Sequence, residues 1–268
     1  MNNTIKTSSK QNQLAAARAA LSATGKSPRQ IGHESRLMVI DWIYRWGYTS
    51  AEVIQVLLGR TSGGYLKRLA KQGWLSSTKT KSGIPSVFFT LTEQGLEEAE
   101  HRATSLYRYP EIDPYRVDQA KIRHYLIAQL LTANALKAVG VVSYETERMF
   151  IGEGEQSVIK RPDVVWITSS SRLAGEIELS AKWSRDLDDF VLSIIRALEP
   201  TGNTPAKYSR FFIASDSQAI IDRYRTAMKP GATVHAWTKT ERGHWAAGKA
   251  INVPDWLIQK VDFQLIER

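Results

Sequence analysis

TSGGYLKRLAKQGWLSSTKTKSGIPSVFFTLTEQG (residues 61–95) carries two periodicities back to back. In its first half Leu66 and Leu69 recur at helical spacing and Trp74 follows, so these residues face inward. Ser62, Tyr65, Arg68 and Gln72 then share the opposite, outward face. Lys67 and Lys71 make the same segment basic. In the second half, WLSSTKTKSGIPSVFFTLT reads as two strand-like runs around a Lys/Ser/Gly tip, a hairpin whose end carries Lys79 and Lys81. TEQGLEEAEHRA closes the stretch as a capped helix.

Upstream, ESRLMVIDWIYRWG (34–47) places Leu37, Ile40, Ile43 and Tyr44 on one helical face and ends at Gly47. Thr49 or Ser50 can cap the short helix AEVIQVLLG, which stops at Gly59. Three helices followed by a basic-tipped hairpin is the order of a winged helix-turn-helix. A DNA-binding domain of that kind is therefore expected over 31–105, its third helix in the major groove and its hairpin on the backbone or in the minor groove. Ser62, Tyr65, Lys67, Arg68, Lys71, Lys79 and Lys81 are its candidate contacts to double-stranded DNA at a specific site. The plainer alternative is a helical adaptor with an incidental hairpin. GWL with the later FTLTEQG also resembles the wing of many bacterial winged-helix proteins, a resemblance that speaks to fold and not to function.

Residues 1–30, rich in Ser, Asn, Gln and Lys, read as a flexible basic arm with one helix-prone stretch, QLAAARAALSA (13–23). The polar start MNNTIKTSSK does not read as a signal peptide. LYRYPEIDPY breaks helical periodicity and marks a linker over 106–114. Charge divides at this seam: residues 1–110 hold fifteen Lys/Arg against seven Asp/Glu, and residues 111–268 hold twenty-one against twenty. Nearly all of the +9 net charge thus sits in the first part, the pattern of a docking module for a polyanion joined to a charge-balanced domain. With 43% hydrophobic residues, eight Trp and no Cys, a folded protein without disulfides or thiolate metal sites is expected, free of membrane insertion and at home in a reducing cytoplasm.

Residues 115–268 read as an α/β domain. A long helix (114–140) precedes VVSYETERMFI, PDVVWIT (162–168) and RLAGEIELS (172–180) as successive short strands. A helix over 181–198, the strand YSRFFIAS (208–215), the helix SQAIIDRYRTAM and the strand TVHAWT (233–238) follow. That order predicts a mixed sheet of about five strands flanked by helices, and an α+β chain overall.

Its polar residues are placed, not scattered. Asp163 opens the second strand, Glu176 lies thirteen residues later in the third, and Glu178 at i+2 points to the same face as Glu176. Lys182 starts the next helix. Asp163 and Glu176 on adjacent strands can converge as hard oxygen ligands for Mg²⁺ or Mn²⁺, and a nearby Lys can stabilise charge on an attacked phosphate. Asp163, Glu176, Glu178 and Lys182 are accordingly the candidate catalytic set. The plainer reading has Asp163 and Glu176 capping strand ends or pairing with Arg161 and Lys160.

Pro162-Asp163 followed by Glu176-Ile177-Glu178 resembles the PD-(D/E)xK nuclease pattern on the restriction-endonuclease-like fold. The family's lysine position is Glu178 here, so the resemblance implies that Lys182 would be a migrated lysine. The joint order of a winged-helix start, RHYL, ETER, RPDVVWI and GEIELSAK looks like the replication-relaxation proteins and related mobilisation relaxases of bacterial plasmids, over roughly 34–215. This implies metal-dependent DNA nicking at an origin of transfer or replication; other mobilisation or recombination proteins and a second copy of the chain are candidate partners, with the oligomeric state left open. The rival reading is a transcriptional or accessory regulator whose nuclease-like domain is inactive and serves dimerisation or docking. A third is a transposition endonuclease subunit.

Among the remaining polar residues, Glu145 and Glu147 alternate along their strand, either as an outer acidic shell or as a solvated face. The five histidines show no metal-binding spacing, so a zinc site is not expected and His124 reads as a hydrogen-bonded packing residue. Tyr107, Tyr109 and Tyr115 read as linker packing or stacking residues, not as nucleophiles.

Overall fold

Ser27, Pro28 and Gln30 start the first helix. In the computed structural model, which describes residues 25–107, 112–138, 140–150, 161–202 and 204–266, α1 spans Pro28–Trp46. The Ser27 hydroxyl accepts from Gln30 N at 3.3 Å and the Gln30 side chain accepts from Ser27 N at 2.8 Å. This capping box satisfies two amides at once, and Pro28 already holds the helical φ. The helix therefore begins ahead of Glu34, and residues 28–30, expected in the arm, belong to it. The helix-prone stretch 13–23 lies outside the described residues.

The next elements follow the expected order. α2 (Ala51–Leu58) is capped by Ser50 and ends at Gly59, whose φ of 63° is left-handed. α3 spans Gly64–Lys71. β1 (Leu75–Lys79) and β2 (Val87–Leu91) pair antiparallel, with Leu75 opposite Leu91 and Lys79 opposite Val87. Thr49 bridges the other edge of β2 at Phe89, which covers that strand on both sides and buries its Phe88–Leu91 run. Thr92 caps α4 (Glu93–Arg102), its hydroxyl accepting from Gly95 N at 3.2 Å.

Downstream come α5 (Ile122–Ala135), β3 (Val141–Thr146), β4 (Val164–Thr168), β5 (Arg172–Ile177), α6 (Ser184–Leu198), β6 (Arg210–Ser215), α7 (Gln218–Ala227), β7 (Thr233–Lys239), β8 (Trp245–Asn252) and β9 (Val261–Leu265). The chain is thus mixed α+β, with seven α-helices among the described residues and a five-stranded sheet in the order β3-β4-β5-β6-β9. β3, β4 and β5 run antiparallel, while β6 and β9 each pair parallel with the neighbour before them.

Successive strand residues feed opposite cores, as the pleat requires. Val164 and Phe212 face α5 and the N-terminal helices, whereas Val165, Phe211 and Ile213 face α6 and α7. The fifth strand differs from expectation. TVHAWT does not join this sheet: β7 pairs antiparallel with β8 in a separate hairpin. The free edge of β6 is parallel and needs a crossover, so it takes β9, which arrives after α7 and the hairpin. No helix among the described residues is long and apolar enough to cross a membrane.

A single buried cluster runs from α1 through α5 to the sheet. Its polar bolt is Gln129 on α5, fully buried, whose Oε1 accepts from Trp42 Nε1 and Thr49 Oγ1, both at 2.8 Å. Its Nε2 donates to the Tyr48 carbonyl at 2.9 Å. Tyr144 of β3 stacks on Trp46 at 6.0 Å and lies 5.1 Å from Trp42. The helical N-terminal elements and the sheet are therefore packed together, across a seam (106–114) that lies partly outside the described residues.

Candidate functional site

The spacing of Asp163 and Glu176 works because it is a hairpin register. β4 and β5 pair Val164 with Gly175, so one step further Asp163 comes opposite Glu176. Gly175 leaves room for the Phe212 ring beneath it: a Cβ there would sit 2.0 Å from Phe212 Cζ. Asp163 is latched on both sides. Its Oδ2 accepts from Ile177 N at 2.7 Å, and its Oδ1 lies 2.9 Å from His124 Nε2 of α5.

Glu178 continues the parallel ladder past the end of β5, its amide donating to the Ala214 carbonyl at 2.8 Å. Glu176 and Glu178 are only 2% and 4% exposed. Two such carboxylates repel unless cations or donors compensate them. For Glu178 both partners are in place: Lys182 Nζ pairs with Oε1, and the Tyr224 hydroxyl donates to Oε2 at 3.0 Å. Burial, and then the Glu178 charge, push the Tyr224 phenol above its ordinary value, so it stays a neutral donor. Lys182 is further held from α7, where Arg223 Nε donates to its carbonyl at 2.9 Å.

These groups face one cavity of about 380 Å³, lined by Asp163, Glu176, Glu178 and Lys182 together with Lys121, His124, Tyr125 and Glu147. The four residues expected as a catalytic set are thus brought together. Asp163 pairs with His124 and a backbone amide; Lys160, named in the plainer reading, lies outside the described residues. His124 is hydrogen-bonded as expected, and its partner makes it part of the site. Glu145 and Glu147 part company, because the strand ends at Thr146 and a 3₁₀ turn begins at Glu147. Glu147 turns into the cavity and accepts from the Tyr125 hydroxyl, while Glu145 pairs with Arg172. Burial and Glu147 raise the Tyr125 phenol well above its ordinary range. Tyr125 and Tyr224 carried no signal in the sequence, since helix packing alone delivers them.

Of the seven residues expected on the DNA-facing surface, Ser62, Lys67, Arg68, Lys71, Lys79 and Lys81 are exposed. Tyr65 is not: it is 7% exposed, with its hydroxyl donating to the Gly32 carbonyl at 3.3 Å. The outward phase was counted from Ser62, but α3 starts only at Gly64, and the amphipathic ring tucks under the Arg60 and Arg68 guanidiniums at 4.1 and 4.9 Å. Lys81 N donates to the Gln119 side chain at 2.7 Å. The β1–β2 tip therefore rests beside Ala120 and Lys121, which line the acidic cavity.

Among the described residues no group of three or more His, Cys, Asp or Glu is arranged to hold a metal ion. Comparison with known protein families, with curated proteins and with solved structures finds no match to this chain.

Proposed function

We propose that this chain is a DNA-binding protein that nicks DNA with a divalent cation at a specific site of a plasmid or mobile element. The observation that carries this reading is the convergence of Asp163, Glu176, Glu178 and Lys182 on one cavity, beside the tip of a basic hairpin. In this reading the N-terminal elements are a winged helix-turn-helix, with Lys67, Arg68 and Lys71 at the major groove and Lys79 and Lys81 on the backbone. The second part is a restriction-endonuclease-like domain.

Asp163 and Glu176 supply two hard oxygen donors. Mg²⁺ is commonly held by one or two carboxylates while water and substrate phosphate complete its shell, so the pair fits Mg²⁺ or Mn²⁺ bound together with DNA. Such a cation supplies Lewis acidity and a water activated at neutral pH. His124 positions Asp163 through its 2.9 Å contact. Glu178 is the internal counter-ion of Lys182, which keeps a cationic head at the cavity for the charge that develops on phosphate. Burial and the neighbouring carboxylates raise the Tyr125 and Tyr224 phenols, so both stay neutral hydrogen-bond donors at the cavity. In this reading the chain acts at an origin of transfer or replication, alongside mobilisation or recombination proteins and a second copy of the chain.

One observation favours a second reading, a regulator with an inactive nuclease-like domain: both oxygens of Glu178, and both of Asp163, are already committed to protein partners. A single experiment separates the two. The full chain first selects its site from a random duplex library, and a supercoiled plasmid carrying that site is incubated with Mg²⁺ or Mn²⁺. Wild type should relax it. Asp163→Ala and Glu176→Gln should bind it with undiminished affinity and leave it supercoiled; Asp163→Ala should also melt lower, because it strands the Ile177 amide. Wild type that binds tightly yet never relaxes the plasmid hands the function to the regulator reading.

A further inference from the structure

The first turns of α1 and the outer side of α3 enclose a second cavity, of about 400 Å³. Arg29, His33 and Arg36 approach it from α1, four and three residues apart and so on one stripe of that helix. Arg68 and Gln72 approach from the α3 side, and the buried Tyr65 lies between. Among the described residues no Asp or Glu lines it. The neighbouring acid on α1, Glu34, is engaged elsewhere, 2.8 Å from Lys26.

Two of the guanidiniums are held in place. Arg36 lies 4.6 Å over the Trp74 ring, and its Nη2 is 2.9 Å from His33 Nδ1. Its Nε is buried and meets no hydrogen-bond acceptor among the described residues. Arg68 lies over the Tyr65 ring from the other side. Three guanidiniums gathered in a concavity without a carboxylate repel one another, and an anion relieves that repulsion. Planar, braced forks suit the tetrahedral oxygens of phosphate better than flexible ammonium groups do.

We infer that this pocket binds a phosphate group, and that the phosphate belongs to the backbone of double-stranded DNA. The occupant follows from continuity: Arg68 belongs both to the pocket and to the exposed basic face of α3 that carries Lys67 and Lys71. The inference rests on the DNA-binding part of the proposed function and adds α1 to its surface. The pocket fixes the register of α3 on the duplex and carries no sequence information. A free phosphorylated small molecule offers the same chemistry, and the test separates the two sources.

Binding of the full chain to a short duplex of random sequence is measured across a salt series for wild type, Arg29→Ala/Arg36→Gln and Lys79→Ala/Lys81→Ala. Thermal melts check folding. If Arg36→Gln disturbs the Trp74 contact and the fold, Arg29→Ala/His33→Ala reads the same pocket. The pocket variant should bind every sequence about tenfold more weakly at low salt. Its slope of log affinity against log salt should be shallower by about 0.9 for the phosphate lost. An unchanged slope in the pocket variants, with a shallower one in Lys79→Ala/Lys81→Ala, overturns the inference and leaves the DNA-binding reading standing. No salt-dependent duplex binding by wild type removes the DNA-binding reading itself. Calorimetry with inorganic pyrophosphate is the remaining arm. Saturable binding that the pocket variant loses, with duplex affinity unaltered, assigns the site to a free phosphate compound and overturns its assignment to DNA.

Discussion

Replacing Gln129 with Leu tests whether the N-terminal elements and the sheet act as one body. The side chain is fully buried and makes three hydrogen bonds, to Trp42, Thr49 and the Tyr48 carbonyl. Leucine keeps most of the volume and makes none of them. An orphaned buried polar group costs about 1–3 kcal/mol. The Thr49 hydroxyl can rotate and an under-satisfied carbonyl is the more tolerable loss, so the stranded Trp42 N–H dominates. The net cost of Gln129→Leu is then about 3–4 kcal/mol, a large part of the roughly 5–15 kcal/mol that holds a typical domain folded. Gln129→Ala should cost about 1–2 kcal/mol more, for the cavity it leaves. Urea unfolding followed by tryptophan fluorescence and by circular dichroism reads both. The midpoints should fall, the two probes should coincide, and the denaturant slope should stay constant. A Gln129→Leu midpoint within about 1 kcal/mol of wild type would refute the hydrogen-bond argument. Separate transitions for the two probes would refute the shared core.

Two further perturbations test the site's scaffold. Gly175→Ala sets a Cβ 2.0 Å from Phe212 Cζ, next to Glu176, and Phe212 cannot retreat because it stacks on Trp166 at 4.2 Å. A loss of about 1–3 kcal/mol in a thermal melt is expected, with partial recovery when Phe212→Leu is added; a neutral Gly175→Ala would show that the ring is not fixed there. Tyr224→Phe addresses alkaline pH. The Tyr224 phenol is raised above its ordinary 10.0, first by burial and then by Glu178. The unfolded chain therefore gives up that proton while the folded chain keeps it. The phenol's contribution is fully present below pH 10.0 and is lost as pH rises beyond it, at about 1.4 kcal/mol per pH unit. Tyr224→Phe should flatten the wild-type decline by that amount in urea unfolding above pH 10.0, and an identical slope in the two proteins would contradict the assignment.

What the sequence disclosed followed from whether partners were local. Asp163 and Glu176 were legible together because an antiparallel hairpin over a short turn converts their spacing into direct opposition. The Thr92 cap was legible for the same reason, and the cap of α2 was narrowed to Thr49 or Ser50, of which Ser50 takes it; each acts on an amide three residues on. Ser27 and Gln30 obey that rule too, but the polar composition around them outweighed it and the helix start was placed late. His124, Tyr125 and Tyr224 reach the cavity from α5 and α7, and nothing in their own segments marks where those helices pack. The fifth strand was misplaced because TVHAWT and VDFQL carry equally strand-like patterns. Which of them meets β6 depends on the crossover that a parallel edge demands.

The glutamate at position 178 shows why a departure from a motif needs geometry to interpret. As a string, E-x-E replaces a cation by an anion and inverts the local charge. In the fold, Glu178 recruits Lys182 from four residues on and Tyr224 from α7, so an anion–cation pair occupies the place where the motif has a cation alone. The lysine head remains at the cavity while its position comes to depend on Glu178 and, through it, on Tyr224. Such a pair costs desolvation that a lone lysine would not, and it holds only while every donor and acceptor is met. Tyr224 supplies the last of them. The same arrangement that holds the Lys182 head at the cavity also accounts for the structural need for Glu178. Loss of Glu178 would therefore unsettle Lys182 and Tyr224 first, so a Glu178 variant tests this pair before it tests any chemistry at the cavity.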